Sequence, residues 1–272
     1  MNIGIIGYGS MGKMLLEKLI ETKTIKQHNL FVSNRTYEKI MDLNNIYPQI
    51  NICPNNIYNA KNADTLFICV KPLEIKTVLN EINNDIKENC HIVSTNGILL
   101  FHQLEQICVG RKITKIIPSV TAEVNQSITL ICHNDYTNSD DKKYVSNLLE
   151  CMGKVIELSE IEIGMGSELT SCMPGFIGAI LKVITDEAEK HTSIDRLQIN
   201  QMVIETMYGT AKLLLEKSMT FDHLIDRVAT RGGITEVGNR IIFEKMPEII
   251  NELFEKTLEK RRIITEKAQN NF

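Results

Sequence analysis

Chemistry enters this chain at Gly7. With Gly9 and Gly12 it fills G-x-G-x-x-G, directly behind the apolar run at 3–6 and ahead of the helix-spaced run at 15–20. A loop of this kind grips the diphosphate of a dinucleotide. Gly7 permits a tight turn, Gly9 lets the diphosphate approach the backbone, and Gly12 lets helix and sheet pack closely. The N–H groups at the helix start, where Ser10 and Met11 lie, then face phosphate charge.

The end of the second strand selects the cofactor. Leu30-Phe31-Val32 is followed by Ser33, Asn34, Arg35 and Thr36, with no acid to accept from ribose hydroxyls. An acid would repel a 2′-phosphate, whereas Arg35 can pair with it and stack on adenine. The expected cofactor is NADPH, with NADH possible. Val70, Lys71 and Pro72 close another apolar run at the carboxyl end of a central strand, where open α/β sheets hold ligands.

No rival chemistry competes with this loop. The six histidines fall in unrelated stretches, neither they nor paired carboxylates form a persuasive catalytic set, and no Cys-x-x-Cys spacing occurs. Seven cysteines, odd in number and several inside apolar runs, read as buried thiols rather than disulfides or zinc ligands. That usage suits a reducing compartment. Lys+Arg 30 against Asp+Glu 34 gives a net charge of -4, so neither nucleic acid nor anionic membrane is an expected partner. The chain starts directly in a strand pattern, with no signal-type segment, and no continuous apolar run reaches the roughly 20 residues of a membrane span. A cytoplasmic location is expected.

Positioning that loop calls for alternating strands and helices. Strand patterns recur at 66–70, 91–94, 115–117, 128–132 and 155–158, with helical stretches near 74–82, 100–107 and 141–150 between several of them. Thr36 is an expected N-cap for a helix through about residue 43. The alternation predicts a Rossmann-type, mostly parallel, doubly wound sheet over 1–160. From 161 the period becomes helical at 176–190, 197–215, 221–228 and 249–265, with Gly232-Gly233 and Met246-Pro247 as breaks. The second domain, 161–272, is therefore all-helical. Apolar residues such as Met202, Ile204, Met207, Tyr208 and Leu213 occupy more than one side of one helix, which predicts a homodimer or larger homo-oligomer.

Five blocks, in order, resemble the pyrroline-5-carboxylate reductase family, and more closely its late competence protein (ComER) branch. Gly7 to Gly12 resembles the family's G-x-G-N-M, with Ser10 in place of Asn. Residues 67–72 (FICVKP) resemble its strand ending in V-K-P. Residues 116–121 (IIPSVT) stand where the reductases read x-M-P-N-T-P, so Ser119 and Val120 replace an amide and a hydroxyl. Residues 170–176 (TSCMPGF) stand against S-G-S-G-P-A-[YF]; Cys172 agrees with the ComER branch and Met173 does not. Residues 226–235 (DRVATRGGIT) resemble D-x-V-[TS]-S-P-G-G-[TA]-T, with Arg231 for Pro.

The resemblance implies NAD(P)H-dependent reduction of 1-pyrroline-5-carboxylate, or a related small imino acid, to the saturated product, and thus a part in proline biosynthesis. It places Cys172, Gly232, Gly233, Ile234 and Thr235 around the substrate. Thr235 is the candidate catalytic hydroxyl for the ring nitrogen, and the N–H groups of 232–234 the candidate carboxylate seat. Met173 can occlude the pocket and Glu236 adds an opposing charge, so altered or diminished turnover is expected. The alternative class is a noncatalytic dinucleotide-binding protein associated with competence or sporulation.

Overall fold

The computed structural model describes residues 1–269. They form one eight-stranded sheet in the order β3-β2-β1-β4-β5-β6-β7-β8. The strands are β1 (Ile3–Ile6), β2 (Leu30–Ser33), β3 (Asn51–Ile52), β4 (Thr65–Ile68), β5 (His91–Ser94), β6 (Ile113–Ile117), β7 (Ser127–His133) and β8 (Gly153–Glu157). All neighbours pair in parallel except β6 and β7, which run antiparallel with Ile116 opposite Ile131. Every residue of β1, β2, β4 and β5 is buried. A parallel sheet covered on both faces demands largely apolar runs, here bounded by the buried polar residues Ser33, Thr65, His91 and Ser94.

Helices cover it: α1 (Ser10–Glu21), α2 (Leu43–Ile46), α3 (Asn56–Asn62), α4 (Ile75–Ile82), α5 (Phe101–Ile107) and α6 (Ser139–Leu149). The hydrophobic spacing of α4 is typical: Ile75, Val78, Leu79 and Ile82 are all buried. The remaining helices are α7 (Ile163–Ser167), α8 (Met173–Ala188), α9 (Arg196–Glu216), α10 (Phe221–Val228) and α11 (Ile234–Gln269), with a π-helical segment, Glu168–Cys172, between α7 and α8. The chain forms two compact units, 1–174 together with 258 onward, and 175–257. Both α8 and α11 therefore contribute residues to each unit.

Three details differ from the sequence reading. Thr36 makes no cap bond, and the expected helix behind it is a 3₁₀ turn, Tyr37–Lys39, followed by the short α2. The turn itself buries no residue; the chain is pinned just beyond it by buried Ile40 and Leu43. Pro247 does not break the last helix but lies inside the 36 residues of α11. Proline there removes one backbone bond and crowds one carbonyl, a local cost that the long helix absorbs. Finally, the helical stretch Ile163–His191 is long and apolar enough by composition to cross a membrane (mean hydropathy 1.2, 11% of its window buried), although the sequence shows no uninterrupted apolar run of that length.

Candidate dinucleotide cleft and substrate residues

The three glycines meet three separate steric constraints. Gly7 has φ +97°, and a Cβ on it would sit 2.5 Å from the carbonyl oxygen of Cys69. A Cβ on Gly12 would lie 2.0 Å from the carbonyl oxygen of Gly7, so only glycine lets α1 pass so close to its own turn. A Cβ on Gly9 would meet nothing within 4 Å. The first two are required by the protein's own packing. Gly9 is required by nothing inside the chain, which is the expected mark of a backbone left bare for a ligand.

The turn is held from both sides. Gly7 N–H donates to Ser33 O at 2.9 Å, Cys69 N–H donates to Ile6 O at 2.8 Å, and Tyr8 N–H donates to Asn34 Oδ1 at 2.9 Å. Gly9 caps α1 in extended conformation, with no side chain bonded to the helix end and no acid in its first turn. Free amide hydrogens and the helix dipole are thus available to an anion.

Above the carboxyl ends of β1, β2 and β4 these residues line a cleft of about 530 Å³. It brings together Gly7, Gly9, Asn34, Arg35, Val70 and Lys71. Ser10, Met11 and Pro72 neighbour it in sequence without lining it, and Gly12 acts from behind. Ser33 is turned inward: its hydroxyl donates to Asn56 Oδ1 (2.8 Å) and accepts from buried Asn59 Nδ2 (3.1 Å). Its side chain therefore positions the end of β2 rather than facing the cleft.

Arg35 is mostly exposed and is not free. Its Nη1 donates to Glu74 Oε1 at 2.5 Å, across from the turn after β4, and Glu74 Oε2 accepts Lys71 N–H at 3.3 Å. Glu81 also lines the cleft and accepts from Asn56 Nδ2 at 2.9 Å. The sequence showed no acid at the end of β2, yet the fold carries two there from α4 and the turn before it. Asn55, Asn56 and Thr77 also line the cleft unforeseen. An asparagine cap, Asn55 Oδ1 accepting Tyr58 N–H at 2.8 Å, was a readable sign of the missing α3.

Further along the same sheet edge, Ser119 Oγ donates to Thr170 O at 3.1 Å, joining the 116–121 block to the 170–176 block. Thr170 belongs to the π-helical segment, a geometry frequent at functional sites. Cys172, half-buried in it, has its thiol pushed up by burial and then by the Glu168 charge, which makes it a packed thiol rather than a nucleophile. Asn96, beyond β5, is another position the sequence did not single out. Its Oδ1 accepts from Ile98 N–H (2.7 Å) and Leu99 N–H (3.3 Å), which fixes the amide and leaves Nδ2 buried without a partner among the described residues. Met173, half-buried, begins α8.

In the other unit, Gly232 has φ +73° and precedes α11, in which Thr235 is the second residue and half-buried. The expected carboxylate seat is already engaged from within: Gly232 N–H donates to Glu236 Oε2 at 2.6 Å and Gly233 N–H to Thr230 O at 2.8 Å. The structure brings Gly232, Gly233, Ile234 and Thr235 into one turn by chain continuity.

Comparisons with known proteins match two segments of the chain. Residues 2–97 match the family described as NADP oxidoreductase coenzyme F420-dependent, and 160–263 match pyrroline-5-carboxylate reductase dimerisation. The chain is 34% identical to pyrroline-5-carboxylate reductase 3 of Bacillus subtilis over 98% of this chain and 97% of the relative. It is 27% identical to ComE operon protein 4 of the same organism, covering 94% of each. Its fold is similar to that of a Plasmodium falciparum pyrroline carboxylate reductase with NADP bound, with a TM-score of 0.83, 23% identity, and 99% and 97% of the two chains covered.

Proposed function

The chain belongs to the pyrroline-5-carboxylate reductase family, and from that premise we propose that it is an oxidoreductase using NADPH to reduce 1-pyrroline-5-carboxylate or a closely related small imino acid. The observation that carries the reading is the glycine loop, with two glycines required by internal packing and Gly9 bare toward the cleft. The noncatalytic alternative is left with the weaker likeness, 27% to ComE operon protein 4.

When bound, NADPH supplies the hydride. The chain's residues bind and orient. Gly7, Gly9 and the first N–H groups of α1 would hold the diphosphate, and Asn34, Arg35 and Thr36 would take the adenosine end. Val70 and Lys71 border the path toward the nicotinamide. The turn at Gly232, Gly233 and Ile234 would seat a carboxylate once Glu236 yields the Gly232 N–H, and the Thr235 hydroxyl would steady the ring nitrogen as it becomes an amine. A protonated imine is already electrophilic, so alignment and exclusion of water carry most of the acceleration.

The dimerisation match over 160–263 and the bare helical faces of 175–257 support a homo-oligomer, proposed as a dimer or a ring of dimers. The apolar face of α8 then belongs to a protein interface rather than a bilayer. Seven free thiols support a cytoplasmic location.

The test is direct. Purified protein should bind NADPH more tightly than NADH and oxidise NADPH when given 1-pyrroline-5-carboxylate. Arg35→Ala should weaken NADPH far more than NADH. Binding without turnover on any small imino acid would favour the noncatalytic class instead.

A further inference from the structure

We infer that Glu74 is a specificity-determining residue of the dinucleotide cleft, acting through Arg35 to narrow the preference for NADPH over NADH. The inference rests on the cofactor reading above and adds a residue that the end of β2 does not contain.

The two lips of the cleft are the turn after β2 and the turn after β4, and the Arg35–Glu74 pair joins them at 2.5 Å. Both oxygens of Glu74 are engaged, one with Arg35 and the other with Lys71 N–H at 3.3 Å. The carboxylate is thus tied to its own turn by a second bond, while the Arg35 side chain is 85% exposed and open to a second partner. A 2′-phosphate seeks the same guanidinium that Glu74 holds. NADH carries a 2′-hydroxyl there and has no need of it. NADPH alone must therefore displace or share the carboxylate. Glu81, kept in the same cleft by Asn56 at 2.9 Å, adds a second negative charge, which disfavours a phosphate more than a neutral hydroxyl.

Magnitude decides how far this goes. An ion pair this exposed is weak, so releasing Arg35 costs NADPH about two- to fivefold in affinity. That trims a preference without reversing it, because Arg35 and Lys39 still line the adenosine end of the cleft. The opposing view is that Glu74 orients Arg35 for the phosphate; it predicts the opposite sign.

The experiment measures dissociation constants of NADPH and NADH for the full-length wild type, Glu74→Gln, Arg35→Ala and the double variant, at low and high salt. Glutamine keeps an oxygen for Lys71 N–H, so the turn is preserved, and an unchanged melting temperature checks this. The expected result is that Glu74→Gln tightens NADPH about two- to fivefold and leaves NADH unchanged. The gain disappears in the Arg35→Ala background and shrinks at high salt. Weaker NADPH binding in Glu74→Gln, an equal change for both cofactors, or no change overturns the inference while leaving the cofactor reading intact. Wild type that binds neither dinucleotide overturns the cofactor reading itself.

Discussion

The two units of this chain differ in how completely they bury themselves. In residues 1–174 and 258–269, the sheet and its helices enclose three apolar clusters, and five strands are buried at every position. Between 175 and 257 only Thr185 and Ile199 are buried. Tyr208, Phe221 and Phe243 are 67%, 74% and 63% exposed, and Val237, Ile241 and Ile242 lie beside them in sequence or on the same helix. A chain holding a single core can leave scattered apolar side chains in water, but not whole helical faces. The first unit thus carries its own stability; the second has the composition of half an interface.

The sharpest way to break this comparison is to put charge on the bare face. Ile242→Glu with Phe243→Glu should convert the homo-oligomer to monomers, read by sedimentation at micromolar concentration. Burying each such side chain contributes roughly 2 kcal/mol in every interface copy, so two charges remove more than the interface can spare. NADPH binding to the first unit should survive. If the wild-type chain itself sediments as a monomer, the second unit is not half an interface and the contrast fails.

Within the first unit, glycines separate packing from ligand contact. Gly12→Ala drives a methyl against Gly7 O at 2.0 Å, backbone that cannot step aside, and should cost both folding stability and cofactor binding. Gly9→Ala meets nothing inside the protein within 4 Å. It should leave the melting temperature within a degree or two, yet weaken NADPH tenfold or more, on the order of 1.4 kcal/mol. Equal losses of stability in the two variants would show that Gly9 serves the fold and not a ligand.

The first unit should also lose stability in mild acid. His91 Nε2 and His133 Nδ1 both lie 2.7 Å from Thr114 Oγ1, which can donate to one ring while accepting from the other. Burial holds both imidazoles neutral, each pushed down to about 4. Since the folded value lies below the unfolded 6.5, the unfolded chain binds more protons between them. Stability is therefore full above about pH 6.5 and falls as the pH drops toward 4, by roughly 3 kcal/mol for His91. Urea midpoints across that range should show the slope in wild type, and His91→Gln should flatten it.

Much of this architecture could be read before any coordinates, for identifiable reasons. Short runs rich in Ile and Val, such as 3–6 and 91–94, fit buried strands, and the boundaries of Phe221–Val228 follow from its own apolar spacing. Gly7 and Gly12 were legible because a backbone requirement is written in one residue type. What could not be read depends on distant partners. Glu74 reaches Arg35 from 39 positions away, and nothing local marks it. Ser33 looks like a ligand contact until Asn59, itself fully buried, claims its hydroxyl. Pro247 carries a strong local preference for a break, and the surrounding helix overrides it.

The finest comparison concerns two glutamates, one in each unit, each engaged where an anionic ligand is expected. Glu74 holds Arg35, and Glu236 accepts Gly232 N–H at 2.6 Å. Glu236 also stands in the first turn of α11, where a carboxylate favours the helix by about 0.3–1 kcal/mol. Two consequences of opposite sign follow for Glu236→Gln. The helix start loses that charge, so the melting temperature should fall slightly. A substrate carboxylate no longer meets a like charge at its seat, so KM for 1-pyrroline-5-carboxylate should fall about two- to fivefold at unchanged kcat, the reach of one exposed charge. A lower melting temperature with KM unmoved would leave Glu236 as a helix cap alone, and would separate it from Glu74 as a competitor for an anion's place.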